Sequence, residues 1–333
     1  MTSGSALPES APALVVTAHG GGEVLEVRDQ ALPAPTSDQV LVRVAAAGVN
    51  FIDTYQREGI YPVPTPFVCG NEGAGEVVAV GDDVSSFVVG DRVAWGQGAG
   101  SARTYAAVDT KNLVHVPPGV DLETAAAAML QGLTAHYLST STYAVQQGTT
   151  ALVHAAAGGV GQLLTQMTKK RGGRVIATAG SAEKLQTARE RGADELINYS
   201  EVDDLAAAVR ELTDGKGVDV VYDGVGKDTF EASLASLRPR GLLVLYGGAS
   251  GQVPPFDLQR LNKLGSLFVT RPSLGAYVAT PDELRARTTD LFEWIESGEV
   301  QVSIGGRYPL SDARTAYADL EGRRTQGKLI LIP

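Results

Sequence analysis

The run Ala151-Leu-Val-His-Ala-Ala-Ala-Gly158-Gly159-Val160-Gly161, followed by Gln162-Leu-Leu-Thr-Gln-Met-Thr-Lys169, constrains this chain more than any other stretch. A short apolar run reads as a buried strand, the glycines as a tight turn, and the amphipathic run after them as a helix. That order leaves backbone N–H groups at a helix N-terminus facing outward with no side chain in the way, as a diphosphate requires. Ala157, Gly158, Gly159, Val160 and Gly161 are the candidate contacts. Ala156 stands where a strict G-x-G-x-x-G turn has its first glycine, so the surroundings must carry the assignment.

They do. A second apolar run, Arg174 to Gly180, follows the turn, then a helix-like stretch from Ala182 to Gly192. A short strand at Glu195–Tyr199 and a helix pattern from Asp204 to Thr213 come next, then strands at Val218–Tyr222 and Gly241–Tyr246. Strands alternating with helices at this spacing predict a doubly wound parallel sheet, an α/β fold.

The 333 residues suffice for two domains with buried cores. A formal net charge of −10 argues against nucleic acid or an anionic membrane surface as a general partner. No apolar stretch reaches the length of a membrane span. The start has neither the basic region nor the apolar core of a secretion signal, and residues 1–12 read as a loose tail. A single cysteine, Cys69, excludes an internal disulfide and points to a reducing, cytoplasmic setting.

Ahead of the sheet, Leu14–Ala18, Val24–Val27 and Gln39–Val44 read as half-buried strands. Short strands punctuated by glycine continue through Gly75–Gly81 and Gly90–Trp95, a largely antiparallel β region closed by Pro117-Pro-Gly119. Leu122 to Ser139 reads as helix. Pro281 to Ile295 is a helix with an N-terminal proline and acidic first turn, and Gly327–Ile332 is a terminal strand.

With these pieces placed, the chain resembles the medium-chain dehydrogenases/reductases, and more narrowly their NADPH:quinone oxidoreductase (zeta-crystallin-like) branch. The residues that carry the resemblance are Asn50-Phe-Ile-Asp-Thr-Tyr55-Gln-Arg-Glu-Gly-Ile-Tyr61-Pro, Gly70-Asn-Glu-Gly73, Gly90-Asp-Arg-Val93, Ala155–Gly161, Val269-Thr-Arg-Pro272 and Thr325-Gln-Gly-Lys328. The resemblance spans nearly the whole chain after the tail. It implies a GroES-like β-rich catalytic domain at 1–132, a Rossmann domain at 133–270 that binds NADPH, and a return to the catalytic domain over 271–333. Alanine in place of the first glycine is usual among the zinc-free members.

Zinc needs three or four convergent S, N or O donors. One cysteine cannot build a four-cysteine lobe, Asn71-Glu72 stands where the zinc branch has a histidine before the glutamate, and His19, His115, His136 and His154 are scattered. No metal is expected, and His154 falls in the predicted first buried strand of the sheet. An NAD site places an acid at the end of the second strand, to accept from the ribose 2′-OH. Here that end reads Thr178-Ala179-Gly180-Ser181. A hydroxyl, an ammonium and a phenol from Ser181, Lys184 and Tyr199 suit a 2′-phosphate instead. The resemblance implies the same trio for NADPH, with Arg323 as a further phosphate contact.

Quinone reduction needs a hydride and a proton, and the acceptor is electron-poor enough to dispense with a metal. The protein must hold ring against ring. By resemblance, Asn50, Tyr55 and Tyr61 line the cleft between domains. Asn50 is expected to hydrogen-bond the cofactor, while Tyr55 and Tyr61 stack or donate to the substrate oxygen. Gln131, Thr134 and Tyr137 are expected near the nicotinamide, and Tyr246-Gly247-Gly248 at a strand's carboxyl edge. Phe51, Gly224, Ala249 and Arg271 complete the candidate cofactor contacts. Two alternatives stand beside quinone reduction: reduction of an α,β-unsaturated carbonyl, and a nucleotide-binding protein with a structural or redox-sensing role. A homodimer is expected by resemblance, through the edge offered by Gly241–Tyr246 and Ser266–Thr270.

Overall fold

The computed structural model describes residues 7–98 and 100–333. They fall into two compact units. The first takes the chain up to Leu130 with Thr280–Thr288 and Ile304–Pro333; the second takes Gln131–Ala279 and Thr289–Ser303.

In the first unit, β1 (Ser10–Val16), β2 (Leu25–Ala31) and β4 (Phe67–Val68) form a small sheet in the order β2-β1-β4. A larger, mostly antiparallel sheet holds β3 (Gln39–Val49), β5 (Glu72–Val80), β6 (Arg92–Trp95) and β8 (Val114–His115), with β7 (Tyr105–Asp109) paired to β3. The chain's last strands, β15 (Ile304–Pro309) and β16 (Lys328–Ile332), join that sheet, β16 lying antiparallel to β3. Alternation puts Leu14, Val42, Val77, Val93, Trp95 and Leu329 into one core. Each such side chain contributes ~1.5–3 kcal/mol through burial. The helices α1 (Phe51–Arg57) and α10 (Ala313–Glu321) belong to this unit. Buried Tyr317 on α10 donates from its hydroxyl to Asp53 on α1 at 3.0 Å.

The tail expected at 1–12 is shorter: β1 begins at Ser10, paired to Ala31 of β2. Residues 1–6 of that tail lie outside the described residues. A run with prolines at 8 and 12 reads as loop locally, yet an extended strand accommodates proline where no N–H is needed.

The second unit is built on β9 (Thr150–Val153), β10 (Arg174–Ala179), β11 (Glu195–Asn198), β12 (Val218–Asp223), β13 (Leu237–Leu245) and β14 (Phe268–Thr270). All neighbours are parallel, in the order β11-β10-β9-β12-β13-β14. This is the order of dinucleotide-binding sheets, with its reversal between β9 and β12. The strands at its centre are largely apolar because both faces are covered; Ala151, Leu152, Val153, Val220 and Val221 are fully buried. Helices α3 (Gly159–Lys170), α4 (Ala182–Glu190), α5 (Leu205–Glu211) and α6 (Phe230–Ser236) alternate with the strands, and α7 (Gln259–Lys263) and α8 (Leu274–Tyr277) follow later.

Two helices cross the division of the chain. The helix expected over Leu122–Ser139 is α2 (Leu122–Tyr137), which continues into a π-helical stretch over Leu138–Thr142. Helix α9 (Pro281–Glu296) starts on a capping box: Thr280 Oγ1 accepts from Glu283 N–H at 3.2 Å and Glu283 accepts from Thr280 N–H at 3.1 Å. The segment expected to return to the first unit as a block, 271–333, is instead divided, with 271–279 and 289–303 in the second unit. Strand β13 begins at Leu237 and is paired on both sides, so it offers no edge; β14 alone does on that side.

One ion pair ties the chain's end to its beginning. Lys328 and Glu72 are 1% and 0% exposed at their side chains, with Nζ and Oε2 2.5 Å apart. Removing one member of such a pair strands a charge in a dry interior. Lys328→Met is expected to lower the unfolding free energy by about 3–5 kcal/mol, with partial recovery when Glu72→Met is added. Denaturant unfolding of both variants checks this; a single variant as stable as the parent would show that the pair does not hold the sheet.

Candidate active site

The glycine turn starts from β9. His154 N–H still pairs with Tyr222 O at 3.1 Å, and Ala155 then takes a left-handed conformation, φ 50°. This sharp reversal sends Ala156 N–H to Thr178 O at 3.1 Å and Gly158 N–H to Ala155 O at 2.9 Å. Helix α3 opens at Gly159, with Gly158 as its N-cap. Its first N–H groups have no partner within the helix. Gly161 is glycine for room: a Cβ there would stand 2.4 Å from Ala155 O.

A side chain already presses on this turn. A Cβ on Gly159 would fall 1.7 Å from Gln131 Oε1, and that oxygen is a buried acceptor with no hydrogen-bond partner. An orphaned amide oxygen beside a glycine cradle and the positive end of a helix fits a bound dinucleotide.

The ends of β10 and β11 lie side by side, Ala179 opposite Asn198. They bring together Gly180, Ser181, Lys184 and Tyr199. A Cβ on Gly180 would stand 2.6 Å from Tyr199 Oη, so the phenol lies across the glycine, with Tyr199 47% exposed. Ser181 caps α4, its Oγ accepting from Lys184 N–H at 3.4 Å. The loops after β12 and β13 also meet. Gly224 O accepts from Ala249 N–H at 3.2 Å, a Cβ on Gly224 would strike the Tyr246 ring at 2.8 Å, and one on Gly247 would strike Gly224 O at 2.4 Å. Gly248 is part of the same contact, 3.0 Å from where a Cβ on Gly226 would be. Arg271, beyond β14, donates to Leu245 O at 3.1 Å.

Other candidates lie in the first unit: Asn50, Phe51, Tyr55, Tyr61 and Arg323. Phe51 and Tyr55 have ring centroids 6.4 Å apart, and Tyr55 meets Tyr61 edge-on at 5.5 Å. Tyr61 is 39% exposed. Arg323, exposed, lies just beyond the end of α10 with a positive φ of 54°.

Two candidates are buried in contacts of their own. Asn50 does not offer a free amide: it is 3% exposed, its Oδ1 accepts from Lys328 Nζ at 2.6 Å and its Nδ2 donates to Glu72 at 2.9 Å. Tyr137 is 2% exposed and lies flat on Tyr277, centroids 4.2 Å apart, so it packs the second unit. Thr134, one turn earlier on the same helix, is 8% exposed.

The fold class brings zinc to mind, and the donor set does not fit it. Among the described residues no group of three or more His, Cys, Asp or Glu is placed to hold a metal. Glu72 is engaged by the Lys328 ammonium, the Asn50 amide and Leu130 N–H, the last at 2.5 Å. Cys69 is buried against Tyr317 Oη at 3.3 Å, and burial pushes its thiol up to about 12, which keeps it protonated.

A parallel sheet with a glycine turn in one unit and a β-rich sheet in the other define a dehydrogenase of the two-domain type. Family models agree: "Alcohol dehydrogenase GroES-like domain" matches residues 36–118 and "Zinc-binding dehydrogenase" matches 159–294. A quinone oxidoreductase of Pseudomonas aeruginosa is 49% identical over 318 residues, covering 95% of this chain and 98% of its own. The structure of a mycobacterial protein complexed with NADPH superimposes with a TM-score of 0.95 at 48% identity, covering 97% of this chain and 100% of its own. The Escherichia coli quinone oxidoreductase complexed with NADPH gives 0.95 at 42%, with the same coverage. The chain belongs to the quinone oxidoreductase family of the medium-chain dehydrogenases/reductases.

Asp53 is buried and accepts from Asn50 N–H at 2.9 Å. Burial pushes its carboxyl from 3.8 to about 6, against hydrogen bonds from Asn71, Asn50 N–H and Tyr317. An acid with a raised folded-state pKa binds more protons when folded. Its contribution is therefore largest below about pH 4 and is lost as pH rises through about 6. Relative to Asp53→Asn, the parent should lose roughly 3 kcal/mol of stability across that window. Unfolding measured at several pH values checks the slope; parallel profiles would refute it.

Proposed function

We propose that this protein reduces quinones with hydride from NADPH, without a metal. The observation that carries the cofactor choice is that the ends of β10 and β11 lie side by side, with Ser181 and Tyr199 following them, Lys184 in the first turn of α4 and no acid among Thr178–Ser181. A carboxylate there would repel a 2′-phosphate; these groups attract it. The NADPH complexes of the relatives support the same choice, as their names support a quinone acceptor.

When bound, NADPH supplies the hydride from its nicotinamide ring. The chain's own residues do the rest. Backbone N–H groups of Gly159, Val160 and Gly161 hold the diphosphate, and Ala157 and Gly158 leave it room. Gln131 offers its orphaned oxygen, and Gly224, Tyr246, Gly247, Gly248 and Ala249 form the loop pair at the sheet's carboxyl edge. Thr134, Arg271 and Arg323 are further contacts in this proposal. Phe51, Tyr55 and Tyr61 provide ring surface and hydroxyls for the acceptor. Asn50 acts from within the Lys328–Glu72 pair.

We also propose a cytoplasmic homodimer. Strand β14 is an unpaired sheet edge with Phe268 60% and Val269 37% exposed, which a second copy would cover. Among the described residues no helix is long and apolar enough to cross a membrane. Sedimentation at micromolar concentration should give a dimer, and Phe268→Lys should shift it toward monomer; a monomeric parent would refute the proposal.

NADPH oxidation by the purified protein against a panel of quinones and enones tests the activity. Quinones should be the faster acceptors, and Lys184→Ala should raise the NADPH dissociation constant at least about tenfold while leaving NADH binding unchanged. Faster enone reduction, or equal binding of the two nucleotides by the parent, would contradict the proposal.

A further inference from the structure

Between the strands of the second unit runs a chain of buried polar side chains that takes no part in the contacts above. Thr178 at the end of β10, His154 just past β9, Ser233 on α6 and Asp223 at the end of β12 are each 0–1% exposed. His154 Nδ1 lies 2.9 Å from Thr178 Oγ1, and Nε2 lies 3.0 Å from Ser233 Oγ. Ser233 Oγ in turn donates to Asp223 Oδ2 at 2.7 Å.

The direction of every hydrogen bond follows from the donors at hand. The carboxylate only accepts, so it uses the single hydroxyl hydrogen of Ser233. Ser233 Oγ must therefore accept from His154, which places the ring hydrogen on Nε2. A neutral ring then has a bare Nδ1, and that nitrogen accepts from the Thr178 hydroxyl. Burial, which holds the imidazole below its ordinary value, agrees with a neutral ring. One tautomer alone satisfies the whole chain.

Its ends are anchored in the loops of the nucleotide site. The next residue after His154 is Ala155, whose positive φ makes the diphosphate turn. Thr178 O receives Ala156 N–H from that turn. At the other end, Asp223 Oδ1 accepts from Val225 N–H at 2.8 Å and Gly226 N–H at 3.0 Å, and the carboxylate also receives the Thr229 hydroxyl. These bonds shape the loop that bears Gly224. Strands β10, β9 and β12 are consecutive in the sheet, so the chain joins their carboxyl ends across the reversal where ligands sit.

We propose that His154 is a positioning residue for NADPH: through its Nε2–H tautomer, it fixes the diphosphate turn relative to the Gly224 loop. This rests on the NADPH proposal above. An imidazole is needed because an acceptor and a donor must point in different directions from one buried ring. Asparagine supplies an acceptor close to Nδ1 and loses the donor toward Ser233. Phenylalanine fills the volume and loses both.

Two measurements test it. Nitrogen-15 NMR of the imidazoles of the unmodified protein should show His154 as a single Nε2–H tautomer from about pH 5 to about pH 8. NADPH titration should show a dissociation constant raised at least about tenfold in His154→Asn and further in His154→Phe, with the quinone KM unchanged. A ring that titrates in that range or carries its hydrogen on Nδ1 overturns the inference, even if the variants fail to fold. Parent-like NADPH binding by His154→Asn overturns it too, and leaves the NADPH proposal standing. A parent protein that does not bind NADPH overturns both.

Discussion

The buried pair of Lys328 and Glu72 is the constraint on which the first unit depends. Neither charge can stand alone in that interior, so β16 must reach β3 and β5 before the sheet is satisfied. The cost of desolvation is offset by the polar groups matched to the pair. Asn50 bridges the two side chains, and the other oxygen of Glu72 takes Leu130 N–H from α2. The closing strand comes from the far end of the sequence. The first unit is consequently discontinuous, with most of the nucleotide-binding unit inserted between its parts.

In the proposed function the second unit meets a different demand, recognition of a polyanion. It relies on backbone: N–H groups at the start of α3, loops kept close by glycines at 224, 226 and 247, and a turn bent at Ala155. Close approach of this kind tolerates little error, because a single Cβ at Gly161 would collide with the chain itself. Loops so constrained need internal support, and the buried side chains between β10, β9 and β12 provide it. Both units thus use fully paired polar networks in the interior, where a half-satisfied one would be costly.

Much of this was legible from the residues in order. The alternation of apolar runs and helical patterns after Ala151 is a local signal, and the six parallel strands answer to it. The acid-free end at Thr178–Ser181 is local as well. What escaped were relations between distant residues. Lys328 was visible only as part of a motif, because its partners Asn50 and Glu72 lie 278 and 256 positions away. That the Asn50 amide bridges a buried ion pair was not legible from its own stretch. Nothing local announces the stacking of Tyr137 on Tyr277. The edge role given to Gly241–Tyr246 failed for the same reason: which strand lies outermost depends on where β14 lands. The place of His154 at a buried strand was legible, but its partners Thr178 and Ser233 lie 24 and 79 positions away.

A crystal structure of the NADPH complex tests the central claim most directly. The diphosphate should rest on the N–H groups of Gly159, Val160 and Gly161, with the 2′-phosphate against Ser181, Lys184 and Tyr199. A diphosphate held elsewhere, or a 2′-phosphate turned away from those three side chains, would contradict it.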